Sequence, residues 1–295
     1  MTIPGNATNE LNGSNGTPVS TGAAPAPALL LELAVAVAGA AADLARSMRA
    51  VGVDGIRTKS TDTDVVTAAD RAVERQVVAA LLAARPGDRV LGEEYGEGGA
   101  RGDGPGRGTG VRWILDPIDG TVNYLYDLPQ YAVSLAAEVD GVVVAGVVRN
   151  AATGQQWTAT AGGGAYRDGR RLTGSVQTLL GQALVATGFG YDPARRAHQA
   201  GVLAGLLPQV RDIRRFGAAS LDLCLAAEGR VDAYYERGLN AWDHAAGGLI
   251  ATEAGLVVTG LNGAPPGPAL LVAAPPALHG PLHDRLVELD ATGGP

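Results

Sequence analysis

Cysteine is almost missing from this chain: Cys224 stands alone among 295 residues. That excludes an internal disulfide and any zinc cluster built on several thiolates. Cys224 lies in the apolar run Leu221-Asp222-Leu223-Cys224-Leu225-Ala226-Ala227, so it reads as a small core residue and not as a nucleophile. Methionine and phenylalanine are nearly as scarce, at 2 each against 43 glycines. Such a bias suggests GC-rich coding, under which glycine runs carry less weight than usual. Positive charge is in deficit, and a formal net charge of −7 argues against unaided binding to a nucleic acid backbone. A basic, apolar leader is lacking too. Residues 1–26 are rich in Asn, Gly, Thr, Ser, Pro and Ala, and the stretch Leu29 to Ala42 comes late, carries Glu32 and runs into Asp43-Leu44-Ala45-Arg46. This reads as a disordered tail followed by an amphipathic helix of a soluble, cytoplasmic protein, not as a signal peptide or membrane span.

What remains is ordinary for a globular enzyme, with 46% hydrophobic and 18% charged residues. The length suits one large domain, or two subdomains sharing a core. Its most informative segment is Asp116-Pro117-Ile118-Asp119-Gly120-Thr121. It follows Val111-Arg112-Trp113-Ile114-Leu115, an apolar run that reads as a buried strand. Pro117 is expected to end that strand, because it fixes φ and removes a ladder donor. Val122-Asn123-Tyr124-Leu125-Tyr126 then opens a short helix. Two acids at a strand's carboxyl end beside free backbone N–H groups offer oxygen ligands for hard cations next to an anion cradle. An isolated Asp-x-x-Asp is more often a solvated corner, so the case depends on the rest of the chain.

The rest supplies further acids at element ends. Thr67-Ala68-Ala69-Asp70 has the form of a capping box, with Thr67 at N-cap and Asp70 at N3, where the helix dipole favours the ionised acid. Ala69, Val73, Val77, Ala80, Leu81 and Ala84 continue with helical spacing until Pro86-Gly87. Arg89 to Gly92 reads as a short strand leading to Glu93-Glu94, and residues 96–110 read as a mobile, glycine-rich loop. The tripeptide Arg101-Gly102-Asp103 inside it is a chance match to an adhesion motif. Asp140-Gly141 predicts a hairpin joining Tyr131–Val139 to Val142–Arg149, and the antiparallel pattern continues through Gln155–Thr160 and Asp168-Gly169. The second half reads as strands at Ala183–Thr187, Val210–Arg214, Val231–Glu236, Leu256–Thr259 and Leu270–Ala274, with helices at Ala219–Ala227, from Trp242-Asp243, and at the end to about Leu289. Without a regular βαβ rhythm, this is layered α/β (α+β) architecture, alternating layers of helices and sheets. Residues 27–290 form a single unit with subdomains of about 27–180 and 181–290.

Gly92-Glu93-Glu94, Asp116 to Thr121, and Trp242-Asp243-His244-Ala245-Ala246-Gly247 resemble the three signature motifs of the inositol monophosphatase family, in its order and at its separations. The resemblance runs from about Val35 to Leu289. It implies the family's fold and a metal-dependent phosphomonoesterase using two to three Mg²⁺ ions. Glu93, Asp116 and the Ile118 carbonyl match ligands of a first ion; Asp116, Asp119 and Asp243 match those of a second; a weaker third sits on Glu93 and waters. Asp70 and Thr121 match the pair that orients the attacking water, with Glu93 placed to accept its proton. Asp119, Gly120, Thr121 and Asp243 match contacts to the substrate, and Gly120 and Thr121 amides hold its phosphate. Gly217, Ala218, Ala219 and Glu236 match the positions touching the polyol ring, although Ala218 replaces an expected hydroxyl residue.

Glu94 reads as a support to the ligands and not as one of them. Lys59 and the segment to Asp64 resemble the family's mobile loop near the third ion. Arg214-Arg215 reads as facing solvent or a dimer partner, His244 as packing, and His279 and His283 as helix surface. The implied substrate is a small polyol phosphate, foremost myo-inositol 1-phosphate, hydrolysed by a cytoplasmic homodimer. Fructose-1,6-bisphosphatase, histidinol-phosphatase and nucleotide 3′-phosphatase activities are rivals on the same fold. A protein-binding factor associated with transcription machinery is the rival from another class.

Overall fold

The computed structural model describes Met1 and residues 25–53, 55–59, 65–98 and 110–295. Most of the expected tail, the loop after Lys59 and the glycine-rich stretch with Arg101-Gly102-Asp103 lie outside those residues. The first half contains α1 (Pro27–Val51), β1 (Arg57–Thr58), β2 (Val65–Val66), α2 (Ala68–Ala84), β3 (Arg89–Gly92) and β4 (Gly96–Gly98). It continues with β5 (Val111–Asp119), α3 (Thr121–Leu125), β6 (Ala132–Val139), β7 (Val142–Asn150), β8 (Gln156–Thr160), β9 (Gly164–Arg167) and β10 (Arg170–Arg171). The second half contains β11 (Leu184–Thr187), α4 (Pro193–Leu206), β12 (Asp212–Arg214), α5 (Ala219–Ala227) and β13 (Ala233–Glu236). It closes with α6 (Ala241–Glu253), β14 (Val257–Thr259), β15 (Leu271–Ala274) and α7 (Pro276–Glu288).

Eight strands form one sheet in the order β10-β9-β8-β7-β6-β5-β3-β4, and five form a second in the order β12-β11-β13-β15-β14. Side chains alternate across each strand, and this divides the core. Trp113, Leu115, Val133 and Leu135 face α1 and α2, whereas Ile114, Ala132 and Ala136 face α5 and α6. In the smaller sheet, Tyr234, Leu271 and Ala273 join α5 and α6, while Tyr235, Val272 and Ala274 pack on α4 and α7. The order of layers is therefore helix, sheet, helix, sheet, helix. The α5/α6 layer is common to both sheets, and the acidic residues collect at its N-terminal edge.

That middle layer is thin because its residues are small. A Cβ on Gly247 of α6 would stand 2.9 Å from Leu223 Cβ of α5, and one on Gly146 of β7 would stand 3.1 Å from Ala246 Cα. α1 is long and apolar enough to cross a membrane by length and composition alone, but Leu30, Ala34, Ala38, Ala41 and Ala45 are buried in the core. The Asp140-Gly141 hairpin forms as expected, with both residues at positive φ (50° and 84°), as a type I′ turn requires. Cys224 is fully buried. His279 lies 2.9 Å from Thr259 Oγ1, and His283 Nε2 accepts the Asn262 N–H at 3.0 Å, so both histidines tie α7 to the loop around β14.

Three expectations about elements differ from the fold. Residues 96–98, expected to open a mobile loop, form β4 and pair with β3. Pro117 does not end β5, which runs on to Asp119. The helix α4 was not foreseen: its stretch Pro193-Ala194-Arg195-Arg196-Ala197-His198 is polar, and only Gln199, Val202 and Leu206 are buried.

Candidate active site

The register along β5 explains how its two acids come together. Asp116 pairs with Ser134 and Asp119 with Ala132, so three steps on β5 match two on β6. Residues three apart on a regular strand point to opposite faces. The extra residue of this bulge brings Asp116 and Asp119 to the same side. Pro117 belongs there because it has no ladder N–H to lose, and the Ile118 N–H turns back to Asp116 Oδ1 at 3.0 Å. Gly120 then takes φ +88°, and a Cβ on it would sit 2.8 Å from the Gln130 carbonyl oxygen, so glycine is required. This turn starts α3 and aims the Thr121 hydroxyl at both Asp70 Oδ1 and the Ile118 carbonyl, each at 3.1 Å.

Asp70 is held by its own helix start. Its Oδ2 accepts from the Thr67 N–H at 2.8 Å and the Thr67 hydroxyl at 2.5 Å, completing the capping box. The helix dipole was expected to keep it ionised, but burial pushes its pKa up more strongly than these bonds lower it. Four residues along α2, Glu74 is also buried and accepts the N–H groups of Glu94 at 2.9 Å and Tyr95 at 3.0 Å. Any Cβ on Gly92 would overlap the Glu74 carboxylate. Glycine before Glu93-Glu94 thus lets a buried acid fix the turn that carries both glutamates. Sequence reasoning missed Glu74; its place one turn after Asp70 on the same helix was the available signal.

Helix starts in the middle layer hold the remaining acids. Asp119 accepts the N–H groups of Ala219 (3.2 Å) and Ser220 (2.7 Å) and the Ser220 hydroxyl (2.5 Å), all at the start of α5. Asp243 caps α6 through the Asn240 N–H at 2.6 Å. Glu236 ends β13, accepts the Tyr234 hydroxyl at 2.7 Å, and presses so closely on Gly188 that no Cβ fits there.

These pieces open on one cavity of about 540 Å³. Glu93, Asp116, Ile118, Asp119, Gly120 and Thr121 line it from the larger sheet's side, and Gly217, Ala219, Glu236 and Asp243 from the other. Asp70 is not on the wall and reaches it through Thr121. Ala218 is buried behind it, 1% exposed, with its Cβ toward Gly120. The wall also includes residues not singled out from the sequence: Phe189, Tyr191, Asp192, Arg195 and Arg237. Arg215, expected at solvent or an interface, lines the cavity as well. An Asp192-Pro193 helix start was the sequence signal for this side, since Asp192 Oδ1 accepts the Arg195 N–H at 2.8 Å and caps α4.

The acids crowd one another. Burial and the neighbouring carboxylates hold the Asp116 and Asp243 pKa values well above the ordinary range. Burial also raises Glu93 to about 7, although Lys59 opposes the shift, and raises Glu236 to about 7. Lys59 is the local counter-charge, 2.8 Å from Glu93 Oε1 and 2.5 Å from Glu94 Oε1. Burial alone would lower its pKa, but the two glutamates raise it. As the side chains stand, no three His, Cys, Asp or Glu groups among the described residues close around a single point. The donor set nevertheless fits a hard divalent cation: buried (Asp116, Asp119) and half-buried (Glu93, Asp243) carboxylates whose mutual repulsion an added positive charge relieves.

The inositol monophosphatase family profile matches residues 27–290. The chain belongs to the inositol monophosphatase family. A relative from Mycobacterium leprae named inositol-1-monophosphatase is 48% identical over 236 residues, covering 78% of this chain and 80% of that one. The solved structure of Mycobacterium tuberculosis SuhB superposes with a TM-score of 0.75 at 39% identity, over 91% of this chain and 99% of that one. A Pseudomonas aeruginosa relative named Nus factor SuhB is 39% identical over 74% of this chain and 80% of its own length. Both an inositol-1-monophosphatase name and a Nus factor name therefore occur among relatives similar to this chain. The layered fold is that of the solved Mycobacterium tuberculosis relative.

Proposed function

We propose that this family member is a Mg²⁺-dependent phosphomonoesterase of small polyol phosphates, foremost myo-inositol 1-phosphate, acting in the cytoplasm as a homodimer. The observation that carries the reading is the convergence of Glu93, Asp116, Asp119 and Asp243 on one cavity beside the Asp70–Thr121 pair. In this reading Glu93, Asp116 and the Ile118 carbonyl hold a first Mg²⁺, and Asp116, Asp119 and Asp243 a second, with a third at Glu93. When bound, the ions supply charge neutralisation of the phosphate and activation of water.

The chain's own residues do the rest. Thr121 shares its hydroxyl proton between Asp70 and the Ile118 carbonyl, which leaves an oxygen lone pair toward the cavity to orient a water molecule. Glu93, on the cavity wall with Thr121, is placed to take a proton, a role typically worth about 10²–10⁴-fold. Amides of Gly120 and Thr121 receive the phosphate. Glu236, fixed by Tyr234, accepts a ring hydroxyl beside Gly217 and Ala219, while Ala218, expected from the sequence to touch the ring, is buried behind the wall and takes no part.

The test is Mg²⁺-dependent phosphate release from inositol 1-phosphate, fructose 1,6-bisphosphate, histidinol phosphate and adenosine 3′,5′-bisphosphate. Preference for inositol 1-phosphate is expected. No turnover of any ester would reject the reading in favour of the transcription-associated factor, the alternative supported by the Pseudomonas relative.

A further inference from the structure

Past α7 the backbone turns back onto the molecule. Residues 290–295 run across the start of α4 and the end of β13, beside the catalytic cavity. Ala291 is buried, and its N–H donates to the Leu286 carbonyl at 3.0 Å. His198 Nε2 donates to the Asp290 carbonyl at 2.8 Å. Arg237 donates to the Gly293 and Gly294 carbonyls, and Arg195 Nε donates to the Pro295 carbonyl at 3.4 Å. The path leaves no room for side chains at two positions. Any Cβ on Gly293 would overlap the Asp290 carboxylate, and one on Gly294 would stand 2.6 Å from the His198 ring. Gly294 also has φ +74°, which glycine takes without the steric cost a side chain brings.

The two arginines held by this strap belong to the cavity wall. Residues 189–192 and 237–240 form two stretches of that wall, and both adjoin Glu236. One follows it directly, and the other follows Gly188, on which the Glu236 carboxylate presses. Arg195 joins the two stretches. Its side chain passes Gly190 and Gly238, where an added Cβ would stand 3.1 Å from Arg195 Cδ and 3.2 Å from Arg195 Nη1, respectively. One turn later on α4, Gln199 accepts the Gly190 N–H at 3.0 Å. The first stretch is thus tied to α4, and the strap ties both α4 and Arg237 to itself.

We infer that residues 290–295 are a latch for substrate recognition: by holding Arg195 and Arg237 they keep the two wall stretches together around the polyol end of the ester. The inference rests on the phosphatase reading above and names the part of the chain that makes its ring-binding wall rigid. The latch acts through the wall and touches neither the phosphate nor the acid cluster. A wall already in place spares the substrate the cost of ordering it, so losing the latch should weaken binding of a ring without slowing the chemistry.

The experiment compares inositol 1-phosphate with glycerol 2-phosphate, an acyclic ester with no ring to reach that wall. It uses the wild type, a chain lacking residues 293–295, and Gly294→Val. The valine variant keeps the full length while its side chain forces the strap off His198, so it stands even if the shortened chain fails to fold. Both changes should raise KM for inositol 1-phosphate about tenfold, roughly the worth of one charge-assisted hydrogen bond. The kcat for that ester, and both constants for glycerol 2-phosphate, should stay within about twofold of wild type. Arg237→Ala should raise the same KM by a similar factor and add little when combined with the truncation, because both remove one contact. Gly294 and Pro295 are exposed, so the melting temperature should move little. An unchanged KM for inositol 1-phosphate in both strap variants, or equal losses on the two esters, would overturn the latch while wild-type turnover persists. No turnover of either ester by the wild type would instead reject the phosphatase reading, and the latch with it.

Discussion

Replacing Glu74 by alanine tests how the glutamates of the site are positioned. Its carboxylate takes two N–H groups, from Glu94 and Tyr95, and is 1% exposed. Tyr95 is exposed and its N–H can turn to water, but Glu94 is half-buried. One part-buried donor therefore loses its acceptor, at a cost of about 1–3 kcal/mol. Relief of the buried charge, which burial shows as a raised Glu74 pKa, offsets part of this, so the net loss should be about 1–2 kcal/mol. That is small against a typical folding stability of roughly 5–15 kcal/mol, and the protein should remain folded. Binding should suffer more than folding. A turn freed from Glu74 lets Glu93 and Glu94 drift, and such supporting contacts are typically worth about 10–100-fold in metal affinity. Urea unfolding measures the first effect and calorimetric Mn²⁺ titration the second. Gly92→Ala should reproduce both with Glu74 intact, since its methyl displaces the same carboxylate. Metal affinity within twofold of wild type in both variants would refute the positioning argument.

Thr121→Ala should lower kcat about 10²-fold or more with little change in KM, and Thr121→Ser should restore most of it; equal rates in all three would remove Thr121 from the reaction. Gly120→Ala should destabilise the protein by roughly 1–3 kcal/mol, from its positive φ and the approach to the Gln130 carbonyl, read as a lower urea midpoint. Glu236 has a folded pKa of about 7 against an ordinary 4.5, so the folded state holds the proton more tightly than the unfolded chain. With cations chelated, stability should be greatest at pH below 4.5 as far as this group is concerned. It should fall as pH rises to 7, by up to ~3 kcal/mol. Urea midpoints at pH 5 and pH 8 check the sign, and Glu236→Gln should flatten the slope; a more stable protein at pH 8 in chelator would contradict it. Added Mg²⁺ should raise the melting temperature more at pH 8 than at pH 5, because protons compete for the same carboxylates.

Local chemistry made much of this legible. The capping box at Thr67 and Asp70, the Asp140-Gly141 hairpin and the strand ahead of Asp116 are each set by a few neighbouring residues, and the sequence names them. Pro117 was misread because a proline was weighed against a regular ladder, whereas in a bulge its missing N–H costs nothing. Helix α4 was hidden because just one narrow face of it is buried, leaving little apolar period to detect. Lys59, Arg215 and Glu74 come to the acids from 34 or more, about 100 and 20 residues away, respectively. Such long-range pairings depend on how layers stack, and no local pattern carries them.

The most direct measurement is phosphate release from inositol 1-phosphate as Mg²⁺ is titrated, with wild type and Asp116→Asn side by side. Asp116 is the acid around which Glu93, Asp119 and Asp243 gather, so its substitution should abolish Mg²⁺-dependent turnover without unfolding the protein. Equal turnover in the folded variant would contradict the account.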